Sequence, residues 1–312
     1  MKILFYDTKP YDKDSFEEVL QSFPGITIEY TKSDLDARTA TLADGFDAFV
    51  SSNGGAETLK ILHDRNVHLL LLRCAGFNNV DMDAAKKYNI RVMRVPGYSP
   101  EAVAEHAMAL ALACNRRLYK AYNKVRENDF SLNGLKGFNF YQKTAGIIGT
   151  GKIGRTFIDL CKGLGMKVIA YDPYPAEGSG IEYVPLDTLF RESDVISLHC
   201  PLTESSYHII DREALGKMKD GVFIVNTSRG GIVNEHDLYI ALTTGQIRAA
   251  ASDVFVHEPP ACDDPLIHLD NFIATFHIGG STYESLERVS NRAVDYVFEY
   301  TGVPEQKEVI GS

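Results

Sequence analysis

Short apolar runs rich in β-branched and aromatic residues recur along the chain and alternate with stretches of helical periodicity. In order they are "KILFY", "GITIEY", "DAFVSS", "VHLLLLRC" and "IRVMRV", then "TAGIIG", "KVIAYD", "DVISLHC", "GVFIVNTS", "IRAAASDV" and "NFIATF". Several are apolar at consecutive positions rather than at every second one, so both faces of those strands are buried, as in parallel sheets covered by helices on both sides. The pattern predicts an α/β protein built on two parallel sheets. Between the fifth and sixth runs, Pro96 and Pro100 punctuate the chain ahead of a long helix, with Ser99 suited to cap it and Pro100 to its first position. That helix is alanine-rich on nearly every face through Cys114, which predicts burial between two domains. A second amphipathic pattern, "TYESLERVSNRAVDYVFEYT", closes the chain and is expected to return to the first domain.

A length of 312 residues exceeds the roughly 100 to 200 residues of one typical domain, so two domains with a cleft are expected. A net charge of −10 repels phosphate backbones, and no basic stripe offsets it, which argues against nucleic acid as a partner. No stretch approaches the ~20 apolar residues of a membrane span, and the apolar run in "MKILFYDTKPYDKD" is too short for a signal peptide. Cys74, Cys114, Cys161, Cys200 and Cys262 are an odd number, widely spaced, with no CxxC pair. Together these features point to a reducing, cytoplasmic setting. No set of histidine, cysteine and carboxylate has metal-site spacing, so no metal is expected, and "CDDP" reads as a solvated loop. After the long helix, Tyr119, Tyr122, Phe130, Phe138, Phe140 and Tyr141 are more aromatic surface than an arm normally exposes. They are expected to be buried, against a second subunit or within the same chain.

In "KTAGIIGTGKIGRTF", Gly149, Gly151 and Gly154 have GxGxxG spacing between an apolar strand and a helical pattern. Gly149 suits a tight turn, Gly151 a close approach of backbone to a pyrophosphate, and Gly154 close packing of helix on strand, with the helix N-terminus facing the anion. The next strand ends in Asp172, at the distance where a carboxylate accepts from adenosine ribose hydroxyls. A 2′-phosphate there would add a like charge worth about 4 kcal/mol of repulsion at ~4 Å and an effective dielectric near 20. Asp172 therefore favours NAD over NADP.

Three more residues follow predicted strands of the second domain, where open parallel sheets bind ligands. Arg229 follows "FIVNTS", Glu258 follows "SDVFVH" and His277 follows "NFIATF". An arginine offers a permanent charge and a planar fork for a carboxylate and a carbonyl oxygen. A histidine exchanges protons near neutrality, and a carboxylate beside it favours the charged ring. Singly, each has an ordinary reading as a surface charge or a structural histidine. Jointly they fit reduction of a 2-oxo acid by hydride from NADH, with His277 giving the proton and Arg229 holding the substrate. Of the other histidines, His199 reads as a buried group near the cofactor, His106 lies within the long helix, and His257 points away from its neighbour Glu258.

The stretches "TAGIIGTGKIG", "DVISLHCPLT", "MKDGVFIVNTSRGGIVNE", "ASDVFVHEPP" and "FHIGGST" together resemble the D-isomer-specific 2-hydroxyacid dehydrogenases over nearly the whole chain. The resemblance implies an NAD-binding Rossmann domain, residues 100–280, inserted in a discontinuous substrate domain, residues 1–99 and 281–312. Under it Arg229, Glu258 and His277 match the catalytic arginine, glutamate and histidine. Cofactor contacts fall to Lys152 and Ile153 in the glycine loop, Asp172, Cys200 with Pro201, Ser206, Thr227, and Asp253 near the nicotinamide amide. "FYDTKPYDKDSF" and "LLRCAGFNNVDMDAAKKYNIRVMRVPGYSPEAVAEHA" look like the D-lactate dehydrogenase branch. There Ala75, Gly76 and Phe77 would present backbone amides to the substrate carboxylate, and Tyr98 would line the pocket. Backbone amides suit this task because they bring positive dipoles without a desolvated charge. The favoured reaction is pyruvate to D-lactate by a cytoplasmic homodimer joined through the cofactor domain. Lactate-branch members often carry a bulky aromatic three residues after the histidine, whereas Gly280 stands here, as in the phosphoglycerate and glycerate types. Hydroxypyruvate, glyoxylate or a branched 2-oxo acid is the alternative substrate, and an NADH-sensing corepressor-like protein the alternative outside catalysis.

Overall fold

Each apolar run of the sequence contains a strand. The computed structural model describes residues 1–21, 25–51, 53–73, 76, 77, 79–95, 97 and 99–301. The chain divides into two compact units, Met1–Ser99 with the chain from Thr282 onward, and Pro100–Ser281.

In the first unit β1 (Lys2–Phe5), β2 (Thr27–Tyr30), β3 (Ala48–Ser51), β4 (Leu69–Leu72) and β5 (Arg91–Arg94) form a parallel sheet in the order β2-β1-β3-β4-β5. The four leucines of β4 are all buried. Leu70 and Leu72 join Leu59 and Leu62 on one face, while Leu69 and Leu71 join Phe16 and Ala293 on the other. This is the period-two alternation of a strand covered on both sides, which leaves no polar face in the sequence. Helices α1 (Pro10–Leu20), α2 (Ala56–Asp64) and α3 (Met82–Lys87) belong to this unit, and the closing helix Tyr283–Thr301 packs on α1.

The second unit holds α4 (Pro100–Arg116), α5 (Leu118–Arg126), β6 (Thr144–Ile148), α6 (Lys152–Gly163), β7 (Lys167–Tyr171), α7 (Leu186–Glu192), β8 (Val195–Leu198), α8 (Arg212–Lys217), β9 (Val222–Asn226), α9 (Glu235–Thr244), β10 (Ile247–Ser252) and β11 (Phe272–Ala274). Its parallel sheet has the order β11-β10-β9-β8-β6-β7. From β6 the chain goes outward to β7, then returns to place β8 on the other flank of β6, creating a switch point where loops diverge and ligands bind. From β8 the strands follow one another outward, so the loops after β9, β10 and β11 are neighbours. Val222 and Ile224 face Leu215, Leu238 and Leu242, while Phe223 and Val225 face Ala107, Leu110 and Phe157.

The helix predicted from Pro100 is α4, which packs on α6, β9 and β10. It stops at Arg116 because Arg117 takes a left-handed conformation, φ 49°. Asn115 holds the break by donating from Nδ2 to the Phe138 carbonyl and accepting from the Phe138 amide. α5 buries none of its residues. The aromatic segment therefore divides: Phe140 is buried and Phe138 packs beside it, Tyr119 donates to the Asp270 carbonyl, and Tyr122, Phe130 and Tyr141 stay exposed.

Candidate functional site

The turn after β6 needs its glycines for three different reasons. Gly149 has φ +95°, and a Cβ there would stand 2.6 Å from the Cys200 amide nitrogen. At Gly154 a Cβ would fall 2.0 Å from the Gly149 carbonyl oxygen, so α6 seats directly on the turn. At Gly151 a Cβ would meet nothing within 4 Å. Gly151 is the N-cap of α6 and offers no side-chain acceptor, so the helix begins at Lys152 and Ile153 without a side-chain cap. That combination, a glycine cradle at an uncapped helix start, fits a dinucleotide pyrophosphate.

Asp172 follows β7 and is tied to this turn. Its Oδ2 accepts from the Thr150 amide at 2.7 Å and the Thr150 hydroxyl at 2.9 Å, and its Oδ1 from the Tyr174 amide at 2.9 Å. Burial pushes its pKa up, but these hydrogen bonds and the Arg155 charge outweigh it and hold the carboxyl below its ordinary range. An ionised carboxylate beside the cradle suits ribose hydroxyls and opposes an added phosphate. After β8, His199 and Cys200 border Gly149, Pro201 follows them, and burial pushes the Cys200 thiol up to about 11. His199, enclosed against Phe157 and bonded to Ser197, is pushed by desolvation down to about 3 and stays neutral. After β9, Thr227 is buried with no hydrogen-bond partner for Oγ1 among the described residues. An orphaned hydroxyl on this edge of the sheet is a second feature that a polar ligand would satisfy. The Ser206 hydroxyl, by contrast, donates to the Pro201 carbonyl and accepts from the Thr203 amide, so it shapes its own loop.

Arg229, Glu258 and His277 lie in the neighbouring loops after β9, β10 and β11. Asn226 staples the first of these by accepting from the Ser228 amide and donating to the Arg229 carbonyl. Gly230 brings the second loop in: a Cβ there would be 2.0 Å from the Phe255 carbonyl carbon. Glu235 adds a tie by accepting from the Val256 amide at 2.9 Å. Glu258 lies six residues beyond β10 rather than at its end, and is turned back by Oε1 accepting from the Phe255 amide at 3.0 Å. Its Oε2 stands 2.9 Å from His277 Nδ1. Burial pushes the Glu258 pKa up, but the His277 and Phe255 hydrogen bonds and the charges of His277 and Arg229 outweigh it and lower the net value. An ionised carboxylate only accepts, so Nδ1 carries the hydrogen in this contact and Nε2 is the other ring nitrogen. His277 itself has φ +59°, an uncommon left-handed backbone for a residue with a side chain.

Sequence reading missed four contributors. Thr150 and Glu235 are small ties within the two loops, while His106 on α4 and Thr275 ahead of His277 meet across 169 residues of chain. Only spatial proximity marks such pairs. Asp253, after β10, is buried, and its carboxylate accepts from Thr275, Ile278 and Gly279. In the first unit Gly76 and Phe77 follow β4, with the Arg94 guanidinium 4.7 Å over the Phe77 ring, while Ala75 and Tyr98 lie outside the described residues. Among the described residues no group of histidines, cysteines and carboxylates could hold a metal, and no helix is long and apolar enough to cross a membrane.

The family profile "D-isomer specific 2-hydroxyacid dehydrogenase, NAD binding domain" matches residues 108–279. Over 264 residues, 83% of this chain and 80% of the relative, the sequence is 48% identical to a D-lactate dehydrogenase of Escherichia coli (strain K12). Over 242 residues, 77% of this chain and 79% of the relative, it is 46% identical to a hydroxypyruvate reductase of Thermotoga maritima. The apo-structure of the D-lactate dehydrogenase from Escherichia coli is similar with a TM-score of 0.90 at 43% identity, covering 97% of this chain and 98% of that one. The profile spans the glycine loop and Arg229, Glu258 and His277, on the two-sheet fold of the solved relative. The chain belongs to the D-isomer specific 2-hydroxyacid dehydrogenase family and is an NAD-dependent oxidoreductase.

Proposed function

We propose that the protein reduces pyruvate to D-lactate, with His277 as the proton donor. The observation that carries this reading is the Glu258 Oε2 to His277 Nδ1 contact at 2.9 Å in the loop next to Arg229. It fixes the tautomer and presents Nε2 to a carbonyl oxygen. The chemistry that NADH would supply when bound is a hydride for the carbonyl carbon. His277 gives its Nε2 proton to the carbonyl oxygen, and Arg229 holds the substrate and stabilises the charge developing on that oxygen. Glu258 keeps the ring oriented and the imidazolium compensated.

Gly149, Gly151, Lys152, Ile153 and Gly154 would hold the pyrophosphate, Asp172 the adenosine ribose, and Cys200, Pro201 and Thr227 the wall of the cofactor site. Ser206 would support that wall, and Asp253 would stand near the nicotinamide amide. Ala75, Gly76, Phe77 and Tyr98, in the unit that begins the chain, would bind the carboxylate and line the substrate pocket. We place the enzyme in the cytoplasm because Cys114 and Cys161 are buried free thiols, and as a homodimer joined through the apolar surface of α5 and the segment after it. Gly280 favours a second reading, a hydroxypyruvate, glyoxylate or branched 2-oxo-acid reductase, since it leaves more room than an aromatic side chain.

The test is loss of NADH absorbance with a panel of these 2-oxo acids, followed by the chirality of the product. The highest kcat/KM on pyruvate, with D-lactate formed, supports the first reading. A higher value on hydroxypyruvate or glyoxylate transfers the assignment to the second, and silence across the panel sinks both.

A further inference from the structure

We propose that His106 is a positioning residue for the reaction: through Thr275 and Asp253 it holds the turn that presents His277. The proposal rests on the reading of His277 as proton donor and extends it to a second histidine, on α4.

The turn after β11 hangs from Asp253. Its backbone carbonyl accepts from the His277 amide at 2.8 Å, its Oδ1 from the Ile278 amide at 2.9 Å, and its Oδ2 from the Gly279 amide at 2.8 Å. These three bonds fasten the backbone on both sides of the left-handed His277. The fit is tight, since a Cβ on Gly279 would already stand 3.0 Å from Asp253 Oδ2. A carboxylate with only 2% of its side chain exposed can stay ionised only if donors replace the water it has lost. The Thr275 hydroxyl supplies one at 2.6 Å from Oδ1. Because that hydroxyl donates to a carboxylate, it accepts from His106 Nε2, 3.1 Å away. His106 Nε2 also stands 3.4 Å from Asp253 Oδ1. A relay therefore runs from α4 through a threonine to the carboxylate that anchors the catalytic turn. Burial raises the Asp253 pKa, but the His106, Thr275, Ile278 and Gly279 hydrogen bonds outweigh it and lower the net value. The carboxyl is thus held in the acceptor form the turn needs.

Three full-length variants decide the matter. His106→Leu removes the donor, His106→Gln can return an amide N–H near the Nε2 position, and Thr275→Val breaks the relay with little change of shape. In the protein without ligands, the Leu and Val variants are expected to exchange the Ile278 and Gly279 amide hydrogens about tenfold faster, with the Gln variant near the parent. At saturating NADH, the Leu and Val variants should lose about tenfold or more in kcat while KM for the 2-oxo acid moves less than about threefold, and His106→Gln should recover most of the loss. Unchanged exchange at both amides in His106→Leu, or in Thr275→Val should the leucine variant not fold, overturns the proposal. So does a loss of kcat that His106→Gln fails to restore. His277→Gln reports separately: full activity there would remove the proton-donor reading and leave the exchange result standing on its own.

Discussion

Thr227 and Asp253 are both buried polar side chains, and the fold satisfies them in opposite ways. Thr227 keeps a hydroxyl with no partner among the described residues, which lowers stability until a ligand bonds to it. Thr227→Val is therefore expected to leave the melting temperature of the ligand-free protein unchanged or raised, and to weaken NADH binding about tenfold by fluorescence titration. Equal weakening of both would show a structural hydroxyl instead. Asp253 is filled by protein donors, and its carboxyl is held below the ordinary value. Because the native value is the lower one, its contribution to stability is full above the unfolded pKa of ~3.9 and is lost as pH falls through the native value. Urea unfolding should then show Asp253→Asn less stable than the parent at neutral pH, with the gap shrinking toward pH 3. A gap independent of pH would mean the charge contributes nothing. Of these groups, sequence marks Thr227 and Asp253 only through family motifs, and His277 through its place after a strand. His106 and Thr275 carry no local signal, because the bond that joins them exists only after α4 has packed across β9 and β10.

Loops, more than strands, carry what had to be found in three dimensions. Among the described residues each of the eleven apolar runs holds a strand, and inner strands such as β4 and β9 are apolar at consecutive positions because a doubly covered sheet needs them. The left-handed Arg117 that ends α4 has no such announcement. It depends on Asn115 pairing with the backbone of Phe138, 23 residues away. The glycine positions show the same division. "GTGKIG" is legible as a turn before a helix, but only the structure separates the open Gly151 from the packed Gly154. Gly151→Ala, with nothing within 4 Å of the new methyl and φ −64°, is expected to fold with an unchanged melting temperature and to lose NADH affinity. Gly230→Ala should do the reverse: pressing on the Phe255 backbone, it should destabilise the protein by about 1–3 kcal/mol and separate the loops of Arg229 and Glu258. Calorimetry and NADH titration of the two variants check the contrast, and similar behaviour in both would refute it.

Taken whole, the chain leaves an apolar surface on its second unit. Leu118, Tyr122, Val125, Phe130, Leu132 and Tyr141 are all exposed, Leu132 to 84% and Phe130 to 75%, and α5 attaches through little more than Tyr119 and Lys120 on Asp270. Light scattering is expected to give twice the 34.6 kDa of one chain, and Phe130→Glu with Leu132→Glu to give the monomer. A monomer mass for the parent would end the dimer proposal. The apolar composition of this segment is legible in the sequence, but which aromatics face inward is not, since Phe140 and Tyr141 are neighbours with opposite fates. The glycine loop, Arg229, Glu258 and His277 all fall between the junctions at Pro100 and Ser281, whereas the residues assigned to the acid's carboxylate precede them. Recombination at those two junctions would then exchange the residues assigned to the carboxylate as a block, while Arg229 and Gly280 would be inherited with the redox chemistry. A chimaera made at Pro100 and Ser281 would therefore separate two contributions to substrate choice, that of the loop after β4 and that of Gly280.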